Sequence, residues 1–69
     1  MYYITKYIIY ENNLYSYPTV QIFTIDALNY YISNQFNGKK YYLVKEEDSN
    51  ESLIKSNDSN IYFHLSELN

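Results

Sequence analysis

Residues 24–38, with the sequence TIDALNYYISNQFNG, decide how this chain folds. Thr24 is a predicted helix N-cap, because its hydroxyl can accept a backbone N–H that the first helical turn leaves without a partner. Asp26 puts a negative charge into the first turn, which suits the helix dipole. Gly38, the only glycine of the chain, lies where a left-handed C-cap is needed. These signals predict a helix over residues 25–36.

The predicted helix is amphipathic. Its apolar residues recur at helical spacing along one side, whereas Asp26, Asn29, Ser33 and Asn34 occupy the other side. The apolar side comprises Ala27, Leu28, Tyr31, Ile32 and Phe36. We expect this side to pack against a sheet.

The chain before the helix predicts a β-hairpin. Residues 2–10 are rich in Tyr and Ile, which favour strands. Residues 11–13, Glu-Asn-Asn, predict a turn, because Asn tolerates left-handed backbone. A return strand begins at Leu14, is interrupted by Pro18, and resumes over residues 19–23, since proline cannot donate a hydrogen bond to a sheet.

The chain after the helix predicts two more strands, at residues 41–45 and 61–65. Between them, residues 46–60 are polar and predict a long acidic loop, with room for one helical turn over residues 52–55. The order β-β-α-β-β predicts a small α+β fold, an antiparallel four-stranded sheet with one helix packed on one face. With 69 residues the chain predicts a single domain, residues 1–69.

The last strand alternates cleanly, which predicts its two faces. We expect Ile61, Phe63 and Leu65 to point toward the helix, leaving Tyr62 and His64 on the open side of the sheet.

The residue inventory argues against an enzyme. The chain has no Cys, one His and one Gly, which excludes a cysteine nucleophile, a thiolate zinc site, a His-rich metal cluster and a glycine-rich phosphate loop. The carboxylates lack the register of a calcium loop. We therefore predict a non-enzymatic protein without a cofactor or metal.

Composition also restricts the expected cellular compartment and the class of binding partner. The longest uninterrupted apolar run is far too short to cross a membrane, and no signal peptide is apparent, so we expect a cytoplasmic protein with no membrane partner. The net charge is −3, and the five basic residues are all Lys. Without Arg or a basic stretch, direct binding to nucleic acid is not expected.

Acidic residues are concentrated in the last third of the chain, opposed there only by Lys45 and Lys55. Such a cluster can steer a partner with a basic surface, although it can equally serve to keep a loop solvated. The candidate partner-binding acids are Glu46, Glu47, Asp48, Glu51 and Asp58, and Glu67 belongs to the same concentration.

Tyrosine density is the second candidate signal. Eleven Tyr exceed what a core with one helix can cover. Tyr offers a large contact area at low entropic cost and is enriched in interfaces, but it also fills cores. We expect Tyr41, Tyr62 and His64 to provide partner contacts on the open sheet face.

Residues 21–32, QIFTIDALNYYI, together with residues 40–47, KYYLVKEE, resemble small proteins of phages and mobile elements, including inhibitors of the anti-CRISPR type. The closing tetrapeptide, residues 66–69 (SELN), is similar to the end of one phage-encoded anti-CRISPR. The resemblance implies a phage-encoded inhibitor that acts in the host cytoplasm on a basic, nucleic-acid-handling defence protein such as a CRISPR effector. It assigns no role to any single residue.

A structural or assembly role is the alternative. An exposed edge strand can pair with a second copy and form a homodimer. In the predicted four-stranded sheet, the first or the last strand would supply that edge.

Overall fold

A computed structural model describes residues 1–57 and 59–68. Within these described residues the chain forms one α-helix and a six-stranded antiparallel sheet, so the predicted α+β class is confirmed. The predicted number of four strands is wrong. The two additional strands have separate causes, one in each half of the chain.

The first additional strand results from the break at Pro18. Strand β1 (Tyr2–Tyr10) turns at Glu11 and Asn12, both with positive φ, into strand β2 (Asn13–Ser16). Two left-handed residues match the twist of a tight hairpin, which explains the turn predicted there. After Pro18 the chain returns to β1 as a separate strand, β3 (Val20–Ile22), and pairs with its first residues.

The helix confirms the local prediction. Helix α1 spans Ile25–Phe36, and its first turn is capped by Thr24, whose Oγ1 accepts the Ala27 N–H at 3.1 Å. Both Asn37 and Gly38 are left-handed, and the Asn37 N–H donates to the Ser33 carbonyl. The caps therefore fix both ends of the helix before any tertiary contact is considered.

The second additional strand lies in the segment predicted to be a loop. Strand β4 (Tyr42–Lys45) is followed by β5 (Glu51–Lys55) and β6 (Ile61–Glu67). The prediction of a loop with a helical turn over residues 52–55 is wrong. In β5 the two buried positions are Ser52 and Ile54, so the polar Ser52 conceals the strand's alternation in the sequence.

Strand β5 also changes which strands form the edges. The order in the sheet is β2-β1-β6-β5-β4. Strand β3 pairs with the first residues of β1, on the same side of β1 as β2. The first strand, β1, and the last strand, β6, are therefore central neighbours, and the expectation that one of them forms an edge is wrong. The edges are β4 on one side and the interrupted pair β2 and β3 on the other.

The core lies between α1 and one face of the sheet. Phe63 of β6 is fully buried and meets the rings of Phe36 and Tyr31 edge-on, with ring centroids 5.5 and 6.0 Å away. Ile61 and Leu65 pack beside it, which confirms the predicted inward face of this strand. The other buried apolar residues are Ile4, Ile22, Leu28, Ile32 and Ile54.

We predict that Phe63→Ala lowers the free energy of unfolding by about 3–5 kcal/mol, because it leaves a cavity between helix and sheet. Phe23→Ala is the matched control, since Phe23 is 67% exposed and Phe63 is 0% exposed. The control should change the free energy by no more than about 0.5 kcal/mol. Urea denaturation measures both, and equal losses would contradict the placement of the core.

Candidate protein-binding surface

The β4–β5 hairpin gathers most of the predicted acidic residues at one end of the sheet. Its turn carries Glu46, Glu47 and Asp48, and Glu51 begins the next strand. The hairpin closes where the Glu46 N–H donates to the Glu51 carbonyl at 3.2 Å, and Asp48 adopts a left-handed conformation with φ of 60°. The structure therefore brings these four carboxylates into one segment.

Glu67 joins this acidic end from the neighbouring strand β6. Its N–H donates to the Asn50 carbonyl at 3.1 Å, and the Asn50 side-chain amide donates to the Glu67 carbonyl at 2.8 Å. The sequence counted Glu67 among the concentrated acids but did not place it beside the hairpin, because that proximity depends on strand pairing. Asp58, the fifth predicted acid, lies outside the described residues.

Most lysines lie at the opposite end of the sheet. Lys39 and Lys40 precede β4, and Lys55 ends β5, where it pairs with Tyr42. The two exceptions are Lys45, which lies beside the acidic turn, and Lys6, which pairs with Phe63 in the middle of the sheet. The charge is thus unevenly distributed along the strands, with five of the eight acidic residues at one end and three of the five lysines at the other, where Glu11 also lies.

The sheet face opposite the helix is not covered by any described element, and we call it the open face. Tyr62 lies near its centre and stacks on Tyr7 of β1, with centroids 5.0 Å apart and an interplanar angle of 14°. His64 follows on the same face, with its Nε2 3.5 Å from Glu51 Oε1. Leu53 pairs with His64 across strands and adds apolar surface that the sequence assigned to a loop.

The open face and the acidic end meet at Glu51. This residue begins β5 within the acidic hairpin, and its carboxylate also contacts His64 on the open face. Glu51, Tyr62 and His64 are therefore brought together on one continuous surface, together with the neighbouring Glu46, Glu47 and Asp48.

Tyr41 does not belong to this surface. Its ring stacks on Phe36 at a centroid distance of 5.0 Å, and its hydroxyl lies 3.3 Å from the Ser33 Oγ. These contacts hold Tyr41 against the helix, on the side of the sheet away from Tyr62 and His64. The sequence missed this because the stacking partner comes from another element.

A groove between α1 and β4 is a further surface that the sequence did not predict. The helix covers β1, β6 and β5 but leaves the inner side of β4 open, and the resulting groove has a volume of about 410 Å³. Its apolar walls include Ile25, Leu28 and Ile32 of the helix and Leu43 of β4. Leu43 is 57% exposed at the outer wall.

Among residues 1–57 and 59–68, no group of three or more His, Cys, Asp or Glu side chains is placed to hold a metal ion. Burial raises the pKa of the Tyr31 phenol, which packs against Phe63 in the core and takes no part in the open face. No helix in the described part of the chain is long and apolar enough to cross a membrane.

Comparison with known proteins gives no family assignment: no family model, curated protein or solved structure matches the chain.

We predict a measurable coupling between Tyr7 and Tyr62. In a double-mutant cycle of Tyr7→Leu and Tyr62→Leu, the stacked rings should contribute about 0.5–1.5 kcal/mol to the free energy of unfolding beyond the sum of single effects. A cycle of Tyr7→Leu with Tyr30→Leu is the control, because Tyr30 is exposed on the helix. Additivity in both cycles would show that the stacked pair does not form in solution.

Proposed function

We propose that this protein is a non-enzymatic inhibitor of the anti-CRISPR type, encoded by a phage, that binds a basic surface of a nucleic-acid-handling host defence protein. The observation that carries the proposal is the charge segregation: Glu46, Glu47, Asp48, Glu51 and Glu67 lie at one end of the sheet, and Glu51 also borders the uncovered open face. The resemblance of residues 21–32 and 40–47 to phage proteins supports the phage origin.

The acidic end supplies the attraction. A surface that binds DNA or RNA is lined with Lys and Arg that otherwise neutralise phosphates. Carboxylates presented from a hairpin complement such a surface and raise the rate of association through long-range steering. Because the carboxylates are exposed, this attraction weakens as salt concentration rises.

The open face supplies the contact area. Its stacked Tyr7 and Tyr62 rings, with Leu53 and His64 beside them, form a surface that mixes aromatic, aliphatic and polar groups. Rigid aromatic side chains lose little entropy on binding and often dominate binding energy. A partner held here and at the acidic end has its basic surface occupied, so inhibition needs no chemical step and no cofactor.

The experiment is direct competition with nucleic acid. Purified CRISPR effectors of several types are incubated with guide, labelled target DNA and increasing amounts of the protein, and both DNA binding and DNA cleavage are measured. We expect one effector class to lose DNA binding, with less inhibition at higher salt. Normal binding and cleavage by all effectors at tens of micromolar inhibitor would reject the anti-CRISPR assignment.

We predict that Asp48→Asn combined with Glu51→Gln slows association with the target by about 5- to 10-fold and flattens the salt dependence, since two steering charges are lost. Surface plasmon resonance at two salt concentrations measures this.

The matched comparison uses two single substitutions that each remove one negative charge: Glu51→Gln, which should slow association, and Glu11→Gln. Glu11 lies in the β1–β2 turn at the other end of the sheet. Glu11→Gln should therefore leave the association rate unchanged, and an equal effect of both substitutions would show that net charge acts instead of the acidic end.

A further inference from the structure

The two edges of the sheet differ in how they are protected. On one side, Pro18 separates β2 from β3, and an interrupted edge is a poor template for another strand. On the other side, β4 contains no proline, and no strand in the part of the chain that the structure describes pairs with its outer edge. β4 is therefore the edge open to strand addition.

The hydrogen bonds of the hairpin show which β4 groups face outward. The Glu46 N–H donates to Glu51 across the hairpin, and antiparallel pairs alternate between bonded and non-bonded residues. Val44 and Tyr42 consequently bond to β5, whereas the N–H and C=O of Leu43 and Lys45 point away from the sheet.

The side chains of this segment are exposed and apolar, and charges of opposite sign flank them. Residues 41–44, Tyr-Tyr-Leu-Val, are all more than one-third exposed. Lys39 and Lys40 precede them, and Glu46 and Glu47 follow Lys45. If two copies of this segment lie antiparallel, the lysines before one segment face the glutamates after the other.

We propose that β4 pairs antiparallel with β4 of a second copy of this chain, around a two-fold axis at Leu43. In this register Leu43 lies opposite Leu43 of the second copy, and their outward N–H and C=O groups bond to each other. Lys40 then lies opposite Glu46 and Lys39 opposite Glu47, at both ends of the interface. Opposite charges facing each other across strands stabilise pairing.

The charges also select this register. The outward N–H and C=O groups of the two β4 strands must face each other. The register can therefore slip only in steps of two residues, which keep the backbone groups of Leu43 and Lys45 at the interface between the two strands. A slip that places Leu43 opposite Lys45 puts Glu46 opposite Tyr42 and exchanges each Lys40–Glu46 contact for one between Lys40 and Asp48, a turn residue with left-handed backbone. The same slip leaves Lys39 opposite the uncharged Ser49. The centred register alone matches both lysines with both glutamates.

The resulting dimer joins the two sheets into one, with both helices on the same side. Each Leu43 adds an apolar wall to the groove beside α1 of the other copy. The inference goes beyond the proposed function and does not depend on it, because dimer formation needs no target. The open face and Glu51 stay outside the dimer interface, whereas Glu46 and Glu47 belong to both surfaces.

Sedimentation equilibrium tests the dimer without any partner. The pairing segment is short, so we expect a dissociation constant between about ten and several hundred micromolar. The mass should rise from 8.4 kDa toward twice that value across this range. A mass that stays at 8.4 kDa up to about 500 μM overturns the proposal.

Charge reversal tests the register. Lys40→Glu and Glu46→Lys should each weaken self-association about tenfold or more, because each places like charges at both ends of the seam. An equimolar mixture of the two variants should associate again, since the mixed dimer has an opposite-charge pair at both ends. Unchanged association of the single variants, or a mixture no stronger than either alone, overturns the register.

Proline tests the backbone pairing. Leu43→Pro removes only an outward N–H of β4 and should abolish the dimer while the monomer keeps its circular dichroism spectrum. Leu14→Pro is the matched control, because Leu14 also faces outward on the other edge and is 59% exposed, against 57% for Leu43. Equal effects of both prolines on association contradict pairing through β4.

Amide hydrogen exchange gives a readout that does not rely on a variant. In the wild-type protein, the Leu43 N–H should exchange rapidly at low concentration and become protected as concentration rises, whereas the Leu14 N–H should exchange rapidly at all concentrations. Protection of Leu43 that does not change with concentration overturns the proposal.

Discussion

The contact of Phe63 with the rings of Phe36 and Tyr31 fixes the single helix over the middle of the sheet. The other features follow from that placement, because one helix of 12 residues cannot cover a sheet of six strands. No element among residues 1–57 and 59–68 covers the open face, and the inner side of β4 is left beside an apolar groove.

The uncovered surfaces are organised by charge. The tight turn after β4 holds Glu46, Glu47 and Asp48 at one end, while the chain that leads from the helix into β4 carries Lys39 and Lys40 at the other. This single arrangement underlies both proposals. In the proposed function, the carboxylates near Glu51 complement a basic partner at the open face. In the proposed dimer, the lysines and glutamates that flank β4 complement each other between two copies.

The two surfaces use different physics and different parts of the sheet. The open face offers side chains, with Tyr7 stacked on Tyr62 at its centre, and so suits a folded partner of complementary shape. The β4 edge offers backbone N–H and C=O groups, and so suits another extended strand. The edge formed by β2 and β3 offers a shorter continuous row of backbone N–H and C=O groups, because Pro18 interrupts it.

Elements specified by neighbouring residues were determined by the sequence alone: the helix between Thr24 and Gly38, the turn at Glu11 and Asn12, and the two faces of β6. The acids from Glu46 to Glu51 were also predictable as a group, because they are adjacent in the chain. Strand β5 was not, since Ser52 fills a buried position and removes the apolar alternation. The strand order, the central position of β1 and β6, and the stacking of Tyr41 on Phe36 were decided only by tertiary structure. They depend on contacts between residues far apart in the chain, which local pattern does not encode.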